Sequence, residues 1–159
     1  MKAMTEETAM LRLADYCAKG EHCSSELIAK LAQWGIAESA TLRILDELHQ
    51  RKYFDDERYA RALVRDKIAY NKWGRRKIEQ TLWQKSIADD IRQRVLGEVA
   101  DEEYLDALRP LLRQKRKTTR AADGYELNQK LIRFALSRGF TFDIIRQCLD
   151  VDDEAELVD

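Results

Sequence analysis

The chain has 159 residues, 45% of them apolar and 36% charged, with a formal net charge of −1. That mixture predicts a folded, soluble protein rather than a disordered one, and no apolar run approaches the ~20 residues needed to cross a bilayer. One proline and six glycines leave little room for turn-rich β architecture. The opening "MKAMTEETAM" has neither the basic head nor the apolar centre of an export signal, so a cytoplasmic protein without membrane association is expected.

Helical spacing then runs through the sequence. Leu27, Ile28 and Leu31 lie between Ser24, a capping residue type, and Gly35, a helix stop. Ala40, Ile44, Leu45 and Leu48 form the next apolar stripe. In "YFDDERYA", Asp55 is placed to cap a helix, Asp56 and Glu57 meet the positive end of its dipole, and Phe54 is placed to staple against Tyr59. That helix is expected to reach about Tyr70, with Gly74 before the next one. Pro110 falls inside a predicted helix and should kink or divide it. The polar, basic stretch Lys115 to Gly124 reads as a mobile connection.

Internal repetition organises these segments. A shift of 51 residues lays Leu27 on Ile78, Leu31 on Leu82, Ile36 on Ile87 and Leu45 on Leu96. A further shift of 53 lays Ile78 on Leu131, Ile87 on Phe140 and Ile91 on Ile144. The period is that of a three-helix unit. The expected fold is all-α: a tandem, elongated or curved array of three three-helix units, about nine helices, over 1–53, 54–104 and 105–150, with an acidic tail over 151–159.

The near-neutral total hides blocks of opposite sign. Met1–Glu57 carries −4, Arg58–Arg94 carries +7, Val95–Leu108 carries −5, Arg109–Arg120 carries +6 and Asp150–Asp159 carries −6. On an ideal helix Arg58, Arg61, Arg65 and Lys72 fall within an arc of roughly 60°, opposite Tyr59, Ala60, Leu63 and Val64. A cationic stripe with few interleaved acids suits a polyanion or an acidic protein groove. Trp73 and Trp83 are expected to pack between units.

Catalytic constellations do not emerge. "WGRRK" lacks the glycine spacing of a phosphate loop, and Asp55/Asp56 and Asp89/Asp90 are neighbours at helix starts, where they do not face each other. Cys17, Cys23 and Cys148 are without CxxC spacing and read as small apolar residues. No enzyme activity, cofactor or metal is expected.

Four stretches, in order, resemble the RecX family of bacterial regulatory proteins. They are "SSELIAKLAQWGI" (24–36), "YFDDERYA" (53–60), "GRRKIEQTLWQKSI" (74–87) and "KLIRFALSRGF" (130–140). The sequence departs from the family pattern at Ser86, where glycine is usual, and at Ala135, where a larger apolar residue is usual. The resemblance implies a monomeric modulator of the RecA recombinase. Such a protein lies in the groove of the RecA–DNA filament and opposes filament extension, ATP turnover and strand exchange, with weak non-specific DNA binding. The expected contact residues are Arg58, Arg61, Arg65, Lys72, Arg75, Arg76 and Lys77, with Arg113, Lys115, Arg116 and Lys117 as a second patch. The alternative is a helical DNA-binding module or transcription regulator, because three-helix units with basic second helices look like helix-turn-helix folds.

Overall fold

The computed structural model describes residues 4–149, which form nine helices and no strand: α1 (Glu6–Lys19), α2 (Ser24–Gln33), α3 (Glu38–Gln50), α4 (Asp56–Ala69), α5 (Arg75–Gln84), α6 (Asp89–Gly97), α7 (Asp101–Thr118), α8 (Gly124–Ser137) and α9 (Phe142–Cys148). The expected all-α class is met. The acidic tail expected over 151–159 lies outside the described residues. The chain divides into two compact units, one from Met1–Leu63 with Leu82–Gln93, the other from Val64–Thr81 with Arg94–Asp159.

In the first unit, Ala9, Leu13, Leu27, Leu31, Ile44, Leu48 and Phe54 form one buried cluster. All but Phe54, which lies in the segment between α3 and α4, come from the apolar faces of their helices, and burying a leucine or isoleucine contributes about 1.5–3 kcal/mol. The start of α2 differs from the expectation. Cys23, not Ser24, is the capping residue, and the Glu26 carboxylate reaches back to accept its N–H at 3.1 Å. Ser24 instead donates its N–H and hydroxyl to Asp56 at 2.7 and 2.6 Å. The acid expected to serve the dipole of its own helix therefore also satisfies the first donor of another. Asp55 caps α4 as expected, accepting the Arg58 N–H at 2.9 Å.

The repeated register is visible in how helices stop. Ile36 N–H donates to Leu31 carbonyl at 3.0 Å, Ile87 to Leu82 at 3.1 Å and Phe140 to Ala135 at 3.2 Å. These are the six-to-one bonds of one C-terminal motif, in which the preceding residue turns left-handed. Gly35 has φ 76°, Ser86 φ 59° and Gly139 φ 91°. Ser86 thus occupies the glycine position and pays the steric cost of a side chain there. Tyr53 N–H to Leu48 carbonyl, at 2.9 Å, repeats the motif with Lys52 at φ 63°.

In the second unit α7 packs against α8 and α9, and its Leu105, Leu108 and Leu112 are buried, as are Leu131 and Ala135 of α8 and Ile144 and Ile145 of α9. Of the two outcomes expected of Pro110, a kink or a division, it does not divide α7. The helix continues to Thr118 because Pro110 and Asp106, whose carbonyl loses its donor, are both exposed, so water can satisfy the carbonyl. The connection expected from Lys115 is also shorter. Lys115, Arg116 and Lys117 form the last turn of α7, where three cations suit the negative end of the dipole. The Thr119 hydroxyl donates to the Lys115 carbonyl there at 2.6 Å.

Two glycines let backbone meet backbone in this unit. Gly74 N–H donates to Arg138 carbonyl at 2.8 Å and Arg76 N–H to Gly139 carbonyl at 3.0 Å. A Cβ on Gly74 would lie 2.3 Å from Phe140 N, and one on Gly139 would lie 2.6 Å from Lys77 N. The start of α5 is pinned to the turn after α8, which fixes where Arg75, Arg76 and Lys77 emerge.

Candidate partner-binding surface

Two of the expected contact residues, Arg58 and Arg61, lie in the first unit, and both have carboxylate partners. Arg58 Nε donates to both Glu21 oxygens, at 2.8 and 3.1 Å, and its Nη groups reach the carbonyls of Lys52 and Tyr53 at 3.3 and 3.4 Å. Its fork ties the start of α4 to the left-handed turn that ends α3. Arg61 pairs with Glu57, one turn earlier, at 3.3 Å.

The other nine lie in the second unit. Arg65 and Arg76 are exposed and Lys72, Arg75 and Lys77 half-buried. Lys72 does not continue the α4 stripe: the helix ends at Ala69 and Lys72 sits in the turn with φ 55°. That turn closes through Trp73 N–H to Lys67 carbonyl at 3.1 Å. Trp73 takes two cations on its ring, Lys77 Nζ 4.5 Å and Lys67 Nζ 4.8 Å from the centroid. Each such contact contributes about 0.5–1 kcal/mol at an exposed site. Trp83, expected to be packed away, is 66% exposed. It lies on the side of α5 away from Ile78 and Leu82, which are fully buried.

Arg76 and Lys77 border a cleft of about 210 Å³ with Gln80, Leu136, Ser137 and Gly139. Arg75 borders another of about 330 Å³ with Asp101, Tyr104, Thr141 and Asp143. Tyr104 is buried and its hydroxyl meets no hydrogen-bond partner among the described residues. Burial pushes this phenol up to about 12, against the opposing pull of Arg75, so it stays neutral at physiological pH.

The second patch is entirely exposed: Arg113, Lys115, Arg116 and Lys117 occupy the last turns of α7. Lys115 Nζ lies 5.0 Å from the Phe134 centroid and the Arg138 guanidinium 5.3 Å from it. Arg138 and Lys67 were not among the expected contacts. Their basic character was legible, but their place beside Phe134 and Trp73 depends on how α4, α5, α7 and α8 meet.

Among the described residues no group of three or more histidine, cysteine or acidic side chains is arranged to hold a metal, and no helix is long and apolar enough to cross a membrane. Cys23 is buried, and burial pushes its thiol up despite the Ser25 hydrogen bond.

These features define a protein built of small helical domains that presents exposed cations. Residues 55–96 match the second three-helix domain of RecX and residues 101–149 the third. The regulatory protein RecX of Vibrio campbellii is 32% identical over 137 residues, covering 86% of each chain. That of Clostridium perfringens is 32% identical over 120 residues, 74% of this chain and 56% of the relative. That of Clostridium botulinum is 30% identical over 132 residues, 82% of this chain and 61% of the relative. The chain thus spans little more than half the length of these clostridial relatives. The crystal structure of RecX from Lactobacillus salivarius shares the fold with a TM-score of 0.85 at 21% identity, over 96% of this chain and 97% of that one. The chain belongs to the RecX family of regulatory proteins.

Proposed function

We propose that this chain binds the RecA recombinase and the RecA–DNA filament in the filament groove and inhibits filament extension, ATP turnover and strand exchange. Three three-helix units, over 1–53, 54–104 and 105–150, would act as a cytoplasmic monomer without a cofactor. The observation that supports this most is the state of the second unit's cations. Arg65, Arg76, Arg113, Arg116 and Lys117 are exposed and have no carboxylate partner among the described residues. Positive charge left uncompensated inside the molecule is available to a partner. Contacts on repeating negative sites also reinforce one another through effective concentration.

Arg58 and Arg61 belong to the proposed surface with a qualification from their geometry: a partner must compete with Glu21 and Glu57. Arg65 and Arg76 are therefore the sharper test. Added to preassembled RecA filaments, the chain should suppress ATP turnover at substoichiometric amounts. Arg65→Glu with Arg76→Glu should weaken that suppression at least tenfold while leaving the far-ultraviolet circular dichroism unchanged. Undiminished suppression by the folded double variant would remove these residues from the surface. No suppression by the parent chain, together with a sharp consensus selected from random duplexes, would favour a sequence-reading DNA-binding module instead.

A further inference from the structure

The starts of α5, α7 and α9 border one cavity of about 330 Å³, and every residue lining it belongs to the second unit. Phe140 and Ile144, both buried, give it an apolar wall. Its charged lining is Arg75 of α5, Asp101 in the first turn of α7 and Asp143 in the first turn of α9. Tyr104, only 4% exposed, lines it too, with a hydroxyl that meets no partner among the described residues. Folded proteins rarely leave a buried phenol unsatisfied. The cavity beside it is where a partner can enter.

The surrounding charges decide the kind of partner. Arg75 acts on the phenol as a cation, against the carboxylates of Glu103, Asp101 and Glu79. Asp143 adds a further carboxylate to the cavity. An anion would enter against this excess, whereas a cation is drawn in. Asp101 and Asp143 are exposed, and neither side chain has an ion-pair or hydrogen-bond partner among the described residues. Acceptors on three separate residues suit the spread donors of a guanidinium better than the compact head of an ammonium, and the guanidinium is the more weakly hydrated of the two. Its methylene stem suits the wall of Phe140 and Ile144. Nucleic acid has no such group to offer; a protein does.

We infer that this cavity receives an arginine side chain of a protein partner, with Asp101, Asp143 and the Tyr104 hydroxyl as its acceptors. The site selects a protein over nucleic acid, beside a basic surface that suits either. Arg75 is not consumed, because a cation does not pair with it, and it stays available to an acid of the same partner. The inference rests on the reading of the chain as a protein-binding regulator but not on recognition of RecA.

The experiment titrates the full chain at low salt with N-acetyl-arginine methylamide, whose guanidinium is its one charge, and follows backbone amide shifts by NMR. Saturable shifts centred on Asp101, Tyr104 and Asp143 are expected, with a Kd on the order of 1 mM. The citrulline analogue, similar in shape but uncharged, should bind about tenfold more weakly. Asp101→Asn with Asp143→Asn should weaken the arginine probe about tenfold, and Tyr104→Phe about threefold. Arg75→Gln should tighten it about threefold, a sign that a merely structural role would not give. Absence of saturable binding by the parent chain would overturn the inference and leave water as the occupant. So would equal binding of the citrulline analogue. Tighter binding of N-acetyl-glutamate methylamide or N-acetyl-lysine methylamide than of the arginine probe would overturn it as well. A parent chain without effect on RecA filaments would fail the proposed function and leave the probe results standing.

Discussion

Gly35 and Gly139 occupy the same left-handed position of the same helix-ending turn, with φ 76° and 91°, but their surroundings differ. A Cβ on Gly35 meets nothing within 4 Å, whereas one on Gly139 falls 2.5 Å from Lys77 Cβ and 2.6 Å from Lys77 N. Gly35→Ala therefore carries only the conformational penalty of a left-handed alanine, about 1–2 kcal/mol, partly offset by about 0.4–1 kcal/mol from a less flexible unfolded chain. The net loss is about 1 kcal/mol. Gly139→Ala adds an overlap with backbone that no rotamer change relieves. Separating α5 from the turn weakens the Gly74–Arg138 and Arg76–Gly139 hydrogen bonds, at about 0.5–1.5 kcal/mol each, and disturbs packing by about 1–3 kcal/mol. A total of about 3–7 kcal/mol follows. Urea unfolding followed by circular dichroism should separate the two variants by at least 2 kcal/mol. Equal losses, or a loss below about 1 kcal/mol at Gly139, would refute the close approach of α5 to the turn after α8.

Ser86→Gly should stabilise the chain by about 0.5–1 kcal/mol, because the left-handed strain at φ 59° exceeds the added entropy of the unfolded glycine; a rise of a few degrees in Tm checks it. Asp56→Ala leaves the Ser24 N–H and hydroxyl without their acceptor and should cost about 2 kcal/mol in urea unfolding, with Asp56→Asn losing less. Burial pushes the Glu26 carboxyl up, but the Cys23 N–H and the Lys85 ammonium outweigh it and hold it below the ordinary range. Its contribution is therefore present above the unfolded carboxyl range, ~4.3, and is lost as pH falls through the lower folded value. Glu26→Gln should flatten the acid limb of the stability–pH profile below about pH 4.3, which equilibrium unfolding across pH will reveal.

How much was legible can be judged residue by residue. Leu27, Leu31, Ile44 and Leu48 were readable as core because helical periodicity places each on the apolar face of its helix whatever it packs against. The matching of Ile36, Ile87 and Phe140 was readable too, since each follows a helix stop at the same register, and Asp55 declared itself as a cap by its position alone. Ser24 was misassigned because its partner, Asp56, is distant in sequence. Pro110 was expected to kink or divide a helix because its local penalty is visible, while the solvation of the Asp106 carbonyl that lets α7 run on undivided is not.

The charge blocks belong to the sequence: the order of residues alone fixes how many cations fall between Arg58 and Arg94. Which cations remain available is a tertiary matter. Arg58 is held by Glu21, 37 residues away, while Arg65, with the same chemistry on the same helix, has no carboxylate partner among the described residues. Local periodicity determines helices because their hydrogen bonds span four residues. Ion pairs and backbone approaches such as that of Gly74 to Phe140 are determined only when distant segments are brought within a few ångströms.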